Sequence, residues 1–333
     1  MTNRIIWVDY GKAIAIYLVV VAHTALYKPA EGFIYTFHMP FFFFMSGYLF
    51  NFGKYPSYAC FAQRRFRQLI VPYMLLNVMT YLLWLFILRK VGSDVGENIG
   101  ALSPLVAALT VNPKGMVHDV PLWFLAALFV VENLYYILYR NKKTRVAVTL
   151  LLFVLAYLND RYNTCRIPFC IDISLVALLF YRFGNLMGEK GDKVFNPLLL
   201  VLSAIVLVMV YMSNGRVSMH TCCYNNLFLF VAGGIAGCYF MSYMCNVLSA
   251  IFGNCKAVQV TAKNTLLICA FHLVVFAMLK GVMLYVLNVD PGVLSGTLLP
   301  NALFALLSIM ICLPIAWFVN RFLPWLAGKP TSR

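Results

Sequence analysis

Near the start of the chain, Asp9, Lys12, Ile16, Val20 and His23 recur at steps of three or four. On an α-helix such steps share one face. Lys12 and His23 are eleven residues apart, which returns to within about 20° of the same direction and rises about 16 Å. An imidazole is the usual acceptor for a hydroxyl proton near neutral pH. His23 is therefore a candidate general base; the plainer alternative is a histidine bonded to a neighbouring helix for packing. Asp9 lies about 21 Å from His23 on a straight helix, so it cannot orient the imidazole directly. It is expected to pair with Lys12 or Arg4, and a partner for His23 has to come from another segment.

Two further clusters carry chemistry-bearing residues. The run Phe37-His38-Met39-Pro40 follows the short connection Tyr27–Gly32, which returns His38 beside His23. Two histidines so placed suit an acid/base pair or a metal site. No third ligand stands at metal spacing, so no metal is expected. In Gln63-Arg64-Arg65-Phe66-Arg67, Arg64 and Arg67 are three apart on one helical face. Their forks suit the phosphates of an anionic cofactor, and equally the head groups of anionic lipids. Glu132, Asp172, Asn225 and His272 are polar positions in or beside apolar runs, while Trp123 opens one such run, where a lone Trp is more often an interface anchor.

The elements that position these residues follow from composition. Of 333 residues, 62% are hydrophobic and 11% charged, with a mean hydropathy of +0.83. A soluble domain is about a quarter charged and roughly half apolar. The excess has to face lipid, so the expected class is an all-α, polytopic integral membrane protein. Ten apolar segments are candidate spans: 5–27, 33–50, 67–88, 121–139, 146–158, 171–188, 195–213, 224–244, 264–287 and 299–320, of which the fifth is short for a crossing. Continuous apolar runs such as Leu198–Tyr211 exclude the alternation of a membrane β-barrel.

With both termini in the cytoplasm, sixteen of the 26 Lys and Arg residues fall inside and seven outside. The net charge of +15 then reads as a topological label, and nucleic acid is excluded as a partner. Residues 1–333 read as one membrane domain without an appended soluble domain. Asp9 and Lys12 in the first segment argue against a cleaved signal peptide. In the long outer loop 89–120, Leu102–Thr110 is expected to form a re-entrant or interfacial helix. Cys165, Cys170, Cys222 and Cys223 fall in outer loops, where a disulfide such as Cys165–Cys170 is permitted but not required.

Taken in order, Arg4…Asp9…Lys12…His23, Phe37-His38-Met39-Pro40 through Tyr48, and Arg64-x-x-Arg67 ahead of Pro72-Tyr73 resemble the membrane-bound acyltransferase-3 family, its fucose 4-O-acetylase-like branch above all. Leu122-Trp123-Phe124-Leu125 and Asn264-Thr265 through His272 are similar to later family segments. Ala126 departs from the family's Pro, and the loop 102–119 matches nothing in it. The resemblance implies transfer of an acyl group, usually acetyl, from a coenzyme A thioester to a carbohydrate hydroxyl, in a bacterial cytoplasmic membrane. It assigns catalysis to His23, Asp9 and His38, the donor acyl-CoA to Lys12, Arg64 and Arg67, and the acceptor to Trp123, Glu132, Asn225 and His272. The acyl group itself is open between acetyl and a larger one such as succinyl. A transporter of a small polar solute is the rival reading, since buried charges also line substrate paths.

Overall fold

The computed structural model describes residues 4–89, 99–162 and 166–329. Among these the regular structure is helical, apart from two isolated β-bridges, Leu26 with Thr297 and Ser218 with Cys223. The helices are α1 (Ile6–Ala22), α2 (Lys28–Tyr35), α3 (His38–Tyr48), α4 (Tyr58–Leu88), α5 (Ser103–Leu109), α6 (Trp123–Leu138), α7 (Arg145–Tyr162), α8 (Ile171–Lys190), α9 (Pro197–Asn214), α10 (Leu227–Phe252), α11 (Lys256–Lys263), α12 (Thr265–Tyr285) and α13 (Leu299–Phe322). Among the described residues, seven helices are long and apolar enough to cross a membrane: α4, α6 with the turn ahead of it (Val120–Leu138), α8 with the turn ahead of it (Pro168–Lys190), α9, α10, α12 and α13. The other three expected segments are helical but shorter or more polar. α1 has 17 residues and carries Asp9 and Lys12, α3 has 11, and α7 holds Arg145, Asp160 and Arg161 within 18.

Three boundaries differ from the sequence reading, each for a local reason. The expected segment 33–50 is two helices, broken at Thr36–Phe37, where Phe37 has φ −138°. Pro40 cannot donate to the Thr36 carbonyl and would crowd it, so a single helix cannot run through. The arginine run expected to precede the third span lies inside the 31-residue helix α4. That helix takes a π turn over Phe66–Ile70, just ahead of Pro72, where the extra residue accommodates a missing backbone donor. The expected segment 264–287 is divided at Asn264 from the short, basic helix α11. Ahead of α6, α5 occupies most of the expected helix 102–110.

The centre is a tight crossing of α3 and α8. A Cβ on Gly47 would lie 1.9 Å from the Tyr181 carbonyl oxygen, and one on Gly184 would lie 1.9 Å from that of Phe44. Backbones can come this close only where both helices present glycine, as is common between membrane helices. Asn185 secures the crossing: its amide donates to the Phe50 carbonyl at 3.2 Å, and its oxygen accepts from the Tyr135 hydroxyl at 2.6 Å. Helix α1 packs against α3, α10, α11, α12 and α13, which places its polar stripe inside the bundle rather than against lipid. Cys170, Cys222 and Cys223 are free thiols, while Cys165 lies outside the described residues.

Candidate functional site

One cavity of about 310 Å³ runs along α1 from Lys12 to His23. Lys12, Ile16, Val19 and His23 form its α1 wall, and α3 contributes His38, Met39, Phe42, Met45 and Ser46. The volume is in the range of small-molecule sites. Val20, expected on the stripe, is fully buried in helix packing, and Val19 takes its place on the wall.

His23 closes α1 as its C-cap. Its Nδ1 lies 2.7 Å from the Val19 carbonyl, and His38 Nδ1 lies 2.8 Å from that of Ile34. A carbonyl only accepts, so each Nδ1 is assigned the proton and each neutral ring keeps Nε2 as a lone pair. The orienting group of His23 is thus its own helix backbone, not a residue of another segment. His272 is held the same way, its Nδ1 2.8 Å from the Cys269 carbonyl. Its ring stands edge-on to His23 with centroids 5.2 Å apart, and its buried Nε2 has no hydrogen-bond partner among the described residues.

At the other end of the cavity, Arg65 of α4 reaches Glu132 of α6, with Nε and Oε2 2.8 Å apart. The approach is off the hydrogen-bond axis, so the contact is an ion pair rather than an aligned bond. Glu132 is 2% exposed at its side chain. Lys12 shares this end, which therefore holds two cations and one carboxylate around apolar walls.

The far end is framed by Tyr35, Trp123 and His220. Trp123 is buried, with its ring 6.4 Å from Phe43, which removes its reading as an anchor at the lipid interface. Glu31 of α2 accepts from Lys28 and from Arg216, both at 2.8 Å. Burial would raise its carboxyl, but these two cations outweigh it and hold Glu31 below the usual carboxylate range. The Arg216 guanidinium lies over the Tyr35 ring at 4.7 Å, and that ring meets His38 edge-on at 5.0 Å. Burial, with His23 and Arg216 adding to it, pushes His220 down to about 4, so its ring is neutral at pH 7. Beside the cavity, His118 Nε2 lies 3.0 Å from Asn77 Oδ1. Asp119 is fully buried with neither oxygen hydrogen-bonded among the described residues, and burial raises its carboxyl well above the usual range.

The acyltransferase-3 family model, described as an acyltransferase domain, matches residues 5–321. The chain belongs to that family. No curated protein and no solved structure matches it. Acyltransferase-3 membership and the apolar helices together make it a membrane acyltransferase by class.

Five of the ten positions expected in this acyltransferase line the one cavity: Lys12, His23, His38, Trp123 and Glu132. The other five are placed elsewhere. Asp9 pairs with Arg4, which also donates to Gln259 of α11 at 2.8 Å, so this carboxylate ties two helices together away from the cavity. Arg64 and Arg67 are exposed, with Arg64 over the Tyr55 ring at 5.8 Å. Asn225 has φ +56° and spends its amide on the carbonyls of Asn214 and Arg216, which shapes the loop before α10. His272 stands behind His23, outside the lining. Sequence reasoning missed Arg65, Tyr35 and His220. Only Arg65 carried a signal, as the member of the arginine run off the Arg64–Arg67 face and able to meet a buried acid.

Proposed function

We propose that the chain is an acyl-CoA-dependent O-acyltransferase that moves an acetyl group to a hydroxyl of a carbohydrate or cell-surface glycan. The observation that supports it best is His23, with Nδ1 tied to Val19 and its ring on the cavity wall. In the proposed step, Nε2 takes the acceptor's hydroxyl proton while that oxygen attacks the thioester carbonyl. The C–O bond forms, the C–S bond breaks, and the coenzyme A thiolate recovers the proton from His23. His38, in the same tautomer, is a second base, contributed by α3 to the same cavity. Donors for the developing oxyanion come from Trp123, Tyr35 and His220 at the same end.

The nucleotide end of the donor docks on Arg64 and Arg67, and its pantetheine arm runs past Lys12 and Arg65 to His23. The reading adds α1, the segment 33–50 and α7 to the seven long helices, giving ten crossings of a bacterial cytoplasmic membrane with both termini inside. The charge asymmetry between alternate loops supports that orientation. The likeness to the fucose 4-O-acetylase-like branch supports a sugar hydroxyl as acceptor.

The test is purified protein with labelled acetyl-CoA and a panel of sugars and glycans. Acyl transfer is expected, with His23→Ala lowering kcat by about 10²–10⁴-fold. Full activity in His23→Ala rejects the base. Solute movement in proteoliposomes with no transfer to any acceptor replaces the enzyme with the transporter.

A further inference from the structure

A second cavity, about 1010 Å³, lies far from His23, between α8 and α9. These two helices barely touch each other, and α10 closes the gap behind them. Ala232 and Ala236 form the floor, while Leu186 and Leu202 stand on opposite walls. Among the described residues, the side-chain oxygens of Ser203, Asn196 and Tyr239 along the groove are already committed. The Ser203 hydroxyl donates to the Leu200 carbonyl at 2.7 Å. The Tyr239 hydroxyl accepts the Asn196 N–H at 2.8 Å and donates to the Val194 carbonyl at 2.9 Å. The slot therefore offers apolar surface to whatever fills it.

One end differs. Lys190, at the last turn of α8, and Lys193, on the following turn, both line the groove and are both exposed. Tyr239 pins that turn to the floor, so the cationic end is held over the apolar slot rather than free to swing. Of the two acidic residues beside these lysines in the sequence, Glu189 and Asp192, the carboxylate of Glu189 is taken by Arg145 at 2.8 Å. The positive end of α9, which begins at Pro197, faces the same corner.

We propose that this groove binds an anionic phospholipid, with an acyl chain between α8 and α9 and the phosphate on Lys190 and Lys193. Charge complementarity selects the anionic head group, and the largely apolar walls select the chain. Such a lipid wedges the α8–α9 gap and supports α8, the helix that grips α3 and with it the cavity wall.

The test is photo-crosslinking of the full-length protein in phosphatidylcholine nanodiscs carrying a trace of diazirine-tailed lipid. A phosphatidylglycerol probe should label the stretches 197–206 and 232–239 several-fold more than a phosphatidylcholine probe. Lys190→Gln/Lys193→Gln should bring the two probes level. Lys142→Gln/Lys143→Gln, in the loop ahead of the Arg145–Glu189 pair, should leave the preference intact. Ala236→Phe, which fills the floor, should lower labelling by both probes. Equal labelling by the two probes in the wild type, or a phosphatidylglycerol preference that survives the Lys190/Lys193 change, overturns the proposal.

Discussion

Arg65 and Glu132 meet 2.8 Å apart at the opposite end of the cavity from His23, joining α4 to α6 across its floor. Removing one member of such a pair strands a buried charge, which costs about 3–5 kcal/mol, more than the pair itself contributes. Arg65→Gln or Glu132→Gln alone should therefore lower thermal stability strongly. The double variant should recover most of the loss. Equal destabilisation in the double variant would show that the two side chains are not coupled.

Arg64 and Arg67 separate their two readings by affinity. Charge-assisted hydrogen bonds to phosphate contribute about 1.5–3 kcal/mol each. Arg64→Ala/Arg67→Ala should raise the Kd for coenzyme A at least roughly tenfold, with a weaker dependence on salt. An unchanged Kd in a calorimetric titration returns them to the role of lipid anchors.

Glu31 gives a pH signature. Its folded carboxyl sits below the usual range because Lys28 and Arg216 outweigh its burial. A depressed carboxyl contributes stability that is present above the unfolded value and lost as pH falls through the folded one. Glu31→Gln should lower Tm by a few degrees near pH 7, with the gap narrowing as pH falls through and below the usual carboxylate range. A gap that stays constant over this window would mean that the charge of Glu31 is not what holds α2.

Gly47 tests the helix crossing. With the Tyr181 carbonyl 1.9 Å from where a Cβ would sit, Gly47→Ala has to push α3 from α8. A loss of about 1–3 kcal/mol is expected, read by thermal unfolding in detergent, and acyl transfer should fall with it. Gly281→Ala, with open space at its Cβ, is the control and should be close to neutral.

Much of the site was readable because its cues are local. The stripe from Lys12 to His23 needs only the helical period, and the short connection after His23 is enough to return His38 to it. The paired Ser46-Gly47 likewise signals close approach without naming the partner. Where local cues failed, the reason was a backbone device or a long-range partner. Arg64 and Arg67 share a face on an ideal helix, but which of the three arginines turns inward depends on where α6 presents Glu132. Asp9 looked like chemistry because of its spacing, yet Arg4 claims it and is itself held by Gln259.

By itself, the sequence determined that this chain is a helical membrane protein of the acyltransferase-3 type, with a polar stripe that cannot face lipid. Composition and periodicity carry the membrane class and the stripe, because lipid penalises every exposed polar group in the same way wherever it falls; the family rests on the motifs and on the family match over residues 5–321. Only the tertiary structure decided which polar groups share one cavity. Ion pairs and ring contacts between residues far apart in the chain, Arg65 with Glu132 and His23 with His272, depend on helix packing that no local period encodes.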